Sequence, residues 1–313
     1  VIVISAMGKT TNGLEKVVEN YFSRNGLAFE CLNEINKYHI QVLDELFTEK
    51  NHPVFVEVVN AFEKLQLVLK SPPSGNYDYE YDRIVSYGEI ISTLIVSHYL
   101  HSTGIRNRLF DVRQLLKTDD TYREAKVNWQ KTGKLIPETI NAFLTGSVLQ
   151  KEGPGIAITQ GFIGSTSEND TTTLGREGSD YTAAIFAYCL DATEVSIWKD
   201  VGGVLNADPK TFPEAVMLRN ISYTEAIELS YFGATVIHPK TIQPLQNRNI
   251  ALKVKSFIHP DDEGTLINSN HAGDALIPSY IIKQNQVLIS ISPKDFSFIV
   301  EENLSGIFSC FAR

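Results

Sequence analysis

The sequence predicts a parallel α/β fold, a sheet with helices on both faces. Apolar strand-like runs alternate with helical periods for most of the chain, the pattern of βαβ units. The runs themselves are apolar without polar alternation, as in strands buried on both faces of a parallel sheet. The length of 313 residues suits one large domain, or a large one with a smaller companion, at about 100–200 residues per domain.

Composition narrows the function classes. Hydrophobic residues at 43% and charged residues at 21% are globular values, which excludes disorder as the main state. The 28 Lys+Arg against 37 Asp+Glu leave a net charge of −9, which argues against nucleic acid as principal partner. No apolar run approaches the roughly 18 residues of a membrane helix, so no membrane partner is expected. The three cysteines, Cys31, Cys189 and Cys310, are odd in number and far apart. They form neither a metal pattern nor a disulfide framework, which points to a reducing cytoplasm.

Taken in order, Val1-Ile2-Val3-Ile4 reads as a strand buried on both faces, and such a strand implies a preceding neighbour outside this sequence. A turn of small polar residues, Ser5-Ala-Met-Gly-Lys-Thr-Thr-Asn12, leads into an amphipathic helix carrying Leu14, Val17, Val18 and Tyr21 on one stripe. Residues 27–70 continue a helical period through Leu43, Leu46, Val54, Val58, Phe62, Leu65 and Leu69. Ser71-Pro-Pro-Ser-Gly-Asn-Tyr-Asp78 is a loop by its chemistry. A long helix is predicted from about Arg83 to His101, burying Ile84, Tyr87, Ile91, Leu94 and Tyr99. Gly155–Thr159 reads as a short buried strand, and Gly164–Asp180 as an irregular stretch of Gly, Ser, Thr, Asn and acids. A helix Tyr181–Leu190, a strand Glu194–Trp198 and a turn Lys199–Gly203 follow. Ser222-Tyr-Thr-Glu225 matches a capping box, Gly233 fits the stop of that helix, and Pro239 fits the first position of the next. Residues 258–279 read as a boundary, Gln286–Ser292 as a strand opening a second unit, and Gly306–Arg313 as the first turns of a helix.

Four segments could carry chemistry. Gly8-Lys9-Thr10 looks like the end of a P-loop, but Val3 stands where that motif needs a glycine. What remains is Ser5 and Thr11, hydroxyls at the carboxyl end of a parallel strand where open α/β sheets bind ligands, or simply a turn of small residues. Thr171-Thr-Thr-Leu-Gly-Arg-Glu-Gly-Ser-Asp180 ends where a helix begins, and a helix N-terminus favours an anion. There Gly175 and Gly178 allow close approach, Arg176 offers a bidentate carboxylate grip, and Ser179 or Asp180 suits a cap. A well-capped helix behind a surface loop is the bland alternative. Glu89, near a predicted helix start, reads from the residues alone as dipole compensation. Trp198–Lys210 combines Lys199, Asp200, Asp208 and Lys210, a set that suits a nucleotide with its magnesium, or equally a plain acidic turn. The seven histidines show no metal spacing.

Together these segments resemble aspartokinases. Ser5–Asn12, Ser86-Tyr-Gly-Glu89, Phe110-Asp-Val-Arg113, Gln160-Gly-Phe-Ile-Gly164, Thr171–Asp180, Trp198–Lys210 and Phe232-Gly-Ala-Thr-Val-Ile-His-Pro239 occur in that family's order. The resemblance implies a three-layer αβα sandwich with a central, mainly parallel, eight-stranded sheet of the amino-acid-kinase type. It makes residues 1–267 the catalytic domain, lacking the family's N-terminal strand and K-F-G-G segment. Residues 279–313 become the start of a truncated α+β ACT regulatory domain. The implied reaction moves the γ-phosphoryl of ATP, with Mg2+, onto the side-chain carboxylate of L-aspartate, the first step toward lysine, threonine and methionine. Carried over by position, Ser5, Thr11, Glu89, Phe162, Arg176 and Ser179 bind aspartate, with Arg176 on the α-carboxylate and Glu89 on the α-amino group. Asp180 organises the basic groups around the transferring phosphoryl, so Asp180 and Arg176 are the catalytic candidates. Lys199, Asp200, Leu205, Asp208, Lys210 and Thr235 fall at the nucleotide, with Leu205, Lys210 and Thr235 standing where a tyrosine, an arginine and a lysine are common. The resemblance further implies an end-product amino-acid inhibitor and a homo-oligomer. Competing readings are another amino-acid kinase acting on glutamate, acetylglutamate or a nucleotide monophosphate, and a non-catalytic aspartate-binding regulatory chain.

Overall fold

A computed structural model of the chain describes residues 1–145, 155–232, 236–272, 274, 277–282, 285–292 and 301–311. The first apolar run is strand β1 (Ile2–Ile4), followed by α1 (Thr10–Ser23), whose predicted stripe of Leu14, Val17, Val18 and Tyr21 is buried. The helical period of residues 27–70 resolves into α2 (Ala28–Leu46) and α3 (Pro53–Lys70). The break comes where His52 caps the Val54 N–H and Pro53 takes the first helical turn, a position where its missing N–H costs nothing. The loop after α3 runs to Asn76, whose side chain accepts from the Asp78 and Tyr79 N–H groups and starts α4 (Tyr77–Val85).

The single long helix expected from Arg83 to His101 is two helices, α4 and α5 (Tyr87–Ser102). Ser86 between them has φ −54° and ψ −22°, the tighter winding of a 3₁₀ turn. The buried face is rotated from the expected one. Ile84 and Ile91 are buried, but Tyr87 and Leu94 are only partly covered and Tyr99 is exposed, while Gly88, Glu89, Ser92, Thr93, Ile95 and Ser97 face inward. Small residues permit that choice: a Cβ on Gly88 would sit 2.9 Å from the Ala6 methyl.

The remaining elements are β2 (Asn107–Phe110), α6 (Val112–Leu115), α7 (Trp129–Thr145), β3 (Ile156–Gln160), β4 (Ile163–Ser165), β5 (Thr171–Thr173), α8 (Gly178–Leu190), β6 (Glu194–Lys199), β7 (Asn220–Ser222), α9 (Tyr223–Phe232), α10 (Pro239–Arg248), β8 (Ala251–Ser256), β9 (Thr265–Asn268) and α11 (Glu301–Phe311). Strands pair in the order β1-β3-β2, all parallel, and β6-β8-β9-β7, parallel except for the antiparallel β8–β9 pair. The α/β class and its mainly parallel pairing stand. Among the described residues the strands fall into a three-stranded sheet, a four-stranded sheet and a hairpin.

Four further expectations differ from the structure. β1 is an outer strand, with Val1 50% and Ile2 40% exposed, because β3 is its only partner among the described residues. Residues 164–180 are not wholly irregular: β4 and β5 pair antiparallel, with Asn169 at φ 70° in the turn and three threonines favouring extended backbone. The presumed boundary 258–279 contains β9, locked between β8 and β7. Residues 286–292 form no regular strand, and Val287 and Leu288 are exposed, since no ladder partner lies among the described residues of their unit. Contacts divide the chain into Val1–Ile281 and Ile282–Arg313.

At α9, Ser222 Oγ accepts the Glu225 N–H at 3.0 Å, the expected capping bond. Pro239 opens α10 behind a His238 cap. Gly233 lies outside the described residues. One apolar cluster gathers α1–α5 and a second gathers the β6–β9 sheet with α9 and α10. A third, from β2, β3, α7 and α8, joins them.

Candidate functional site

The carboxyl ends of β1, β3 and β6 open on one cleft of about 1020 Å3, where ligands bind in open α/β sheets. It is lined by Ser5, Thr11, Glu89, Phe162, Arg176, Ser179, Asp180, Lys199 and Asp200, nine of the predicted positions drawn from five separate stretches of the sequence.

Glu89 sits on the first turn of α5, 3% exposed. The close approach at Gly88 brings it to the turn after β1, where its Oε1 accepts the Ala6 N–H at 3.3 Å. Its other oxygen, Oε2, is buried without a partner. Burial pushes this carboxyl up to about 8 from an ordinary 4.5, opposed by the hydrogen bond from Ala6. Dipole compensation would leave Glu89 solvated, so that bland reading fails here. An orphaned buried carboxylate oxygen is costly unless something cationic completes it.

The exit of β3 and the start of α8 interlock through two glycines. A Cβ on Gly161 would lie 2.6 Å from the Ser179 side chain, and one on Gly178 would lie 2.6 Å from the Phe162 ring. Phe162 takes φ 66° with its N–H donated to Thr182 Oγ1 at 3.0 Å. The α8 cap differs from expectation. Glu177, at φ 54°, occupies the cap position with no side-chain hydrogen bond, and Ser179 and Asp180 lie inside the first turn, free of capping duty. Arg176 projects from the turn between Gly175 (φ 79°) and Glu177 and is exposed. Among the described residues no carboxylate pairs with it within 4 Å.

At the other side of the cleft, Lys199 ends β6 and its Nζ lies 2.9 Å from Asp180 Oδ2 and 3.7 Å from Glu177 Oε2. Burial pushes the Asp180 carboxyl up, and Lys199 works against that shift. Leu205, Asp208 and Lys210 do not join the cleft wall. Leu205 bridges to Met217, and Asp208 Oδ1 accepts the Lys210 N–H at 2.9 Å within an exposed turn. Thr235 lies outside the described residues. Among these, no group of three or more His, Cys, Asp and Glu could hold a metal ion. His39, fully buried, is a satisfied core histidine, with Nδ1 on the Ile35 carbonyl at 2.8 Å and Nε2 on Thr10 Oγ1 at 3.4 Å.

The sequence reading missed a further wall made by α1, α4 and residues 121–124. Tyr81 donates to Glu15 Oε1 at 2.7 Å, and the Arg123 guanidinium lies 4.5 Å over the Tyr81 ring and 3.5 Å from Asp78. Glu15 follows Thr11 by four residues and so shares its face of α1. That spacing was the one available signal.

The amino acid kinase family model matches residues 1–256. The lysine-sensitive aspartokinase 3 of Escherichia coli is 32% identical over 292 residues, 93% of this chain and 62% of that protein. The chloroplastic aspartokinase 1 of Arabidopsis thaliana is 32% identical over 302 residues, 93% of this chain and 51% of that protein. The crystal structure of E. coli aspartokinase III in complex with aspartate and ADP matches with a TM-score of 0.76 at 33% identity, covering 86% of this chain and 58% of that one. Aspartate kinase from Clostridium acetobutylicum matches at 0.68 and 26%, over 86% and 56%. The chain thus spans a little over half the length of these relatives. It belongs to the amino acid kinase family.

Proposed function

We propose that this member of the amino acid kinase family transfers the γ-phosphoryl of MgATP to the side-chain carboxylate of L-aspartate, giving 4-phospho-L-aspartate. One observation carries the reading. The same cleft offers a buried carboxylate with an unpartnered oxygen, Glu89, and a guanidinium, Arg176, with no carboxylate within 4 Å among the described residues. Those are complementary handles for the ammonium and α-carboxylate of a free amino acid. E. coli aspartokinase III was solved with aspartate and ADP, which supports the same substrates here.

In this reading Arg176 grips the α-carboxylate, Glu89 accepts the ammonium, and Ser5, Thr11, Phe162 and Ser179 shape the space between. The acceptor needs no base, because a side-chain carboxylate with a pKa near 4 is already ionised at neutral pH. The work is alignment and charge compensation. Lys199, held by Asp180 and Glu177, is the cation beside the transferring phosphoryl, and the first turn of α8 adds its dipole. Asp180 and Asp200 are the carboxylates that would hold a nucleotide-borne magnesium, which would supply charge compensation at the phosphates. Leu205, Asp208, Lys210 and Thr235 are assigned to the nucleotide's far side. We take residues 1–267 as the catalytic domain and 279–313 as the start of an ACT-type region, through which an end-product amino acid and homo-oligomerisation would act. No helix among the described residues is long and apolar enough to cross a membrane, and a cytoplasmic setting suits the substrates.

The test is ADP release with each acceptor, alongside trapping of the acyl phosphate by hydroxylamine. Release and hydroxamate with L-aspartate alone support the proposal. Turnover with L-glutamate, N-acetyl-L-glutamate or UMP instead would assign another member of the family. A rise in Tm with aspartate but no turnover would make the chain a binding subunit.

A further inference from the structure

We propose that Arg123 is a specificity-determining residue of the acceptor pocket, a second guanidinium that selects substrates with a free α-carboxylate. The inference rests on the aspartate kinase reading above. Nothing in the motif pattern marks Arg123; its backbone does. It takes φ 68°, the left-handed region that long side chains adopt only at a conformational cost and that clusters at ligand sites.

The strain is held by a buried carboxylate. Asp82, on α4 and fully buried, accepts the Arg123 N–H through both oxygens, at 3.1 and 3.0 Å. The same carboxylate accepts the Thr173 N–H at 2.8 Å and the Thr173 hydroxyl at 2.6 Å. Thr173 ends β5, three residues before Arg176. One carboxylate therefore fixes two arginine-bearing turns together. Gly175 seals the junction, since a Cβ there would meet the Arg123 carbonyl and the Glu124 side chain at 3.2 Å.

Chain order sets the direction of the cleft. Gly175 touches residues 123–124, Arg176 follows, and Glu177 reaches Lys199. Arg176 thus lies between Arg123 and the phosphoryl side, which puts Arg123 at the end where the α-carboxylate points. The Tyr81 ring below and Asp78 beside it aim the guanidinium while using few of its five donors. Solvation alone would need neither the strained backbone nor the buried clamp.

The test compares the wild type with Arg123→Gly, using L-aspartate and its α-amide, which keeps the ammonium and the side-chain carboxylate. Glycine adopts this φ freely, so Tm should hold or rise. The KM for aspartate should rise by about 10- to 100-fold, the loss of one charge-assisted hydrogen bond. The preference for aspartate over the amide should fall by about as much, with kcat and the KM for ATP within about twofold. An unchanged preference in a folded Arg123→Gly protein overturns the proposal. Should Tm fall, Arg123→Lys keeps the charge without the planar fork, and it must also weaken the preference. If the wild type turns over no aspartate, the functional reading fails separately. Arg123 is then judged by thermal shift with L-aspartate, L-glutamate, N-acetyl-L-glutamate and UMP. Loss of the wild-type shift in the variant supports an anion-selecting role, and an equal shift, or no shift in either protein, overturns it.

Discussion

The two ends of the cleft are built differently. At the proposed acceptor end, Glu89 comes from α5, Thr11 from α1, Arg176 from the turn before α8 and Arg123 from a loop clamped by α4. Their backbones are fixed by long-range contacts, such as Asp82 to Thr173 and Ala6 to Glu89. On the proposed nucleotide side, beyond the cleft lining, residues 208–212 hold themselves by local bonds, Asp208 Oδ1 to the Lys210 N–H and the Asp208 carbonyl to the N–H groups of Thr211 and Phe212. The contrast is one of preorganisation. Under the proposed assignment, acceptor selection would rest on the packed core, whereas nucleotide contacts beyond Lys199 and Asp200 would depend on an exposed turn.

The largest effect is expected where the two ends meet. Lys199 is the cation paired with Asp180 at 2.9 Å. Lys199→Ala should lower kcat by about 10²- to 10³-fold, the usual loss of a group that stabilises transition-state charge, with a small change in the KM for aspartate. Arg176→Ala should act the other way, raising that KM by about 30-fold or more and leaving the KM for ATP near its wild-type value. Steady-state kinetics with each substrate varied in turn checks both. If Lys199→Ala moved only the KM for ATP, the boundary between the ends would lie elsewhere.

Next in size is a proton linkage at the acceptor end. In the free chain burial holds Glu89 protonated up to about pH 8, and the ammonium of a bound aspartate would favour the carboxylate, so binding would expel a proton. Affinity should therefore climb as pH rises toward 8, by up to about tenfold per unit, and then flatten. Stability of the free chain runs oppositely. A carboxyl whose folded pKa is raised binds its proton more tightly when folded, so stability is lost between about pH 4.5, its ordinary value, and 8. Calorimetric titration of Glu89→Gln should show weaker aspartate binding without the pH slope, together with a higher Tm at pH 8. A slope that survives the substitution would place the linkage on another group.

How far the sequence led divides along the same line. Motif order located the strand ends that open on the cleft and nine of its lining residues, because turns at β-strand termini carry local chemical signals. It did not reveal Asp82, Tyr81 or Arg123. Their roles exist only once α4 packs on β5, and a positive φ at an arginine leaves no mark in composition or periodicity. The misread helix Arg83–His101 has the same origin. Gly88 faces inward because the turn after β1 comes close, a tertiary choice that overrides the apolar stripe. Glu89 read as dipole compensation for that reason too: a carboxylate on a first turn looks identical whether water or a protein wall covers it.

The smallest expected effect probes the exposed end. Lys210 and Asp208 lie on the surface, and Asp208 is tied to the Lys210 backbone rather than to its ammonium. A solvated lysine gains little from a phosphate that water also screens. Lys210→Ala should therefore raise the KM for ATP by only about two- to fivefold, an effect that shrinks further as salt is raised, and leave aspartate kinetics untouched. The salt series matters as much as the value. A surface contact fades with ionic strength, whereas a contact made inside a closed site does not. A 100-fold rise in KM that persists in high salt would mean that nucleotide binding folds the 208–212 turn over the cleft. The nucleotide end would then be as preorganised as the acceptor end once occupied, and the contrast between them would belong to the free chain alone.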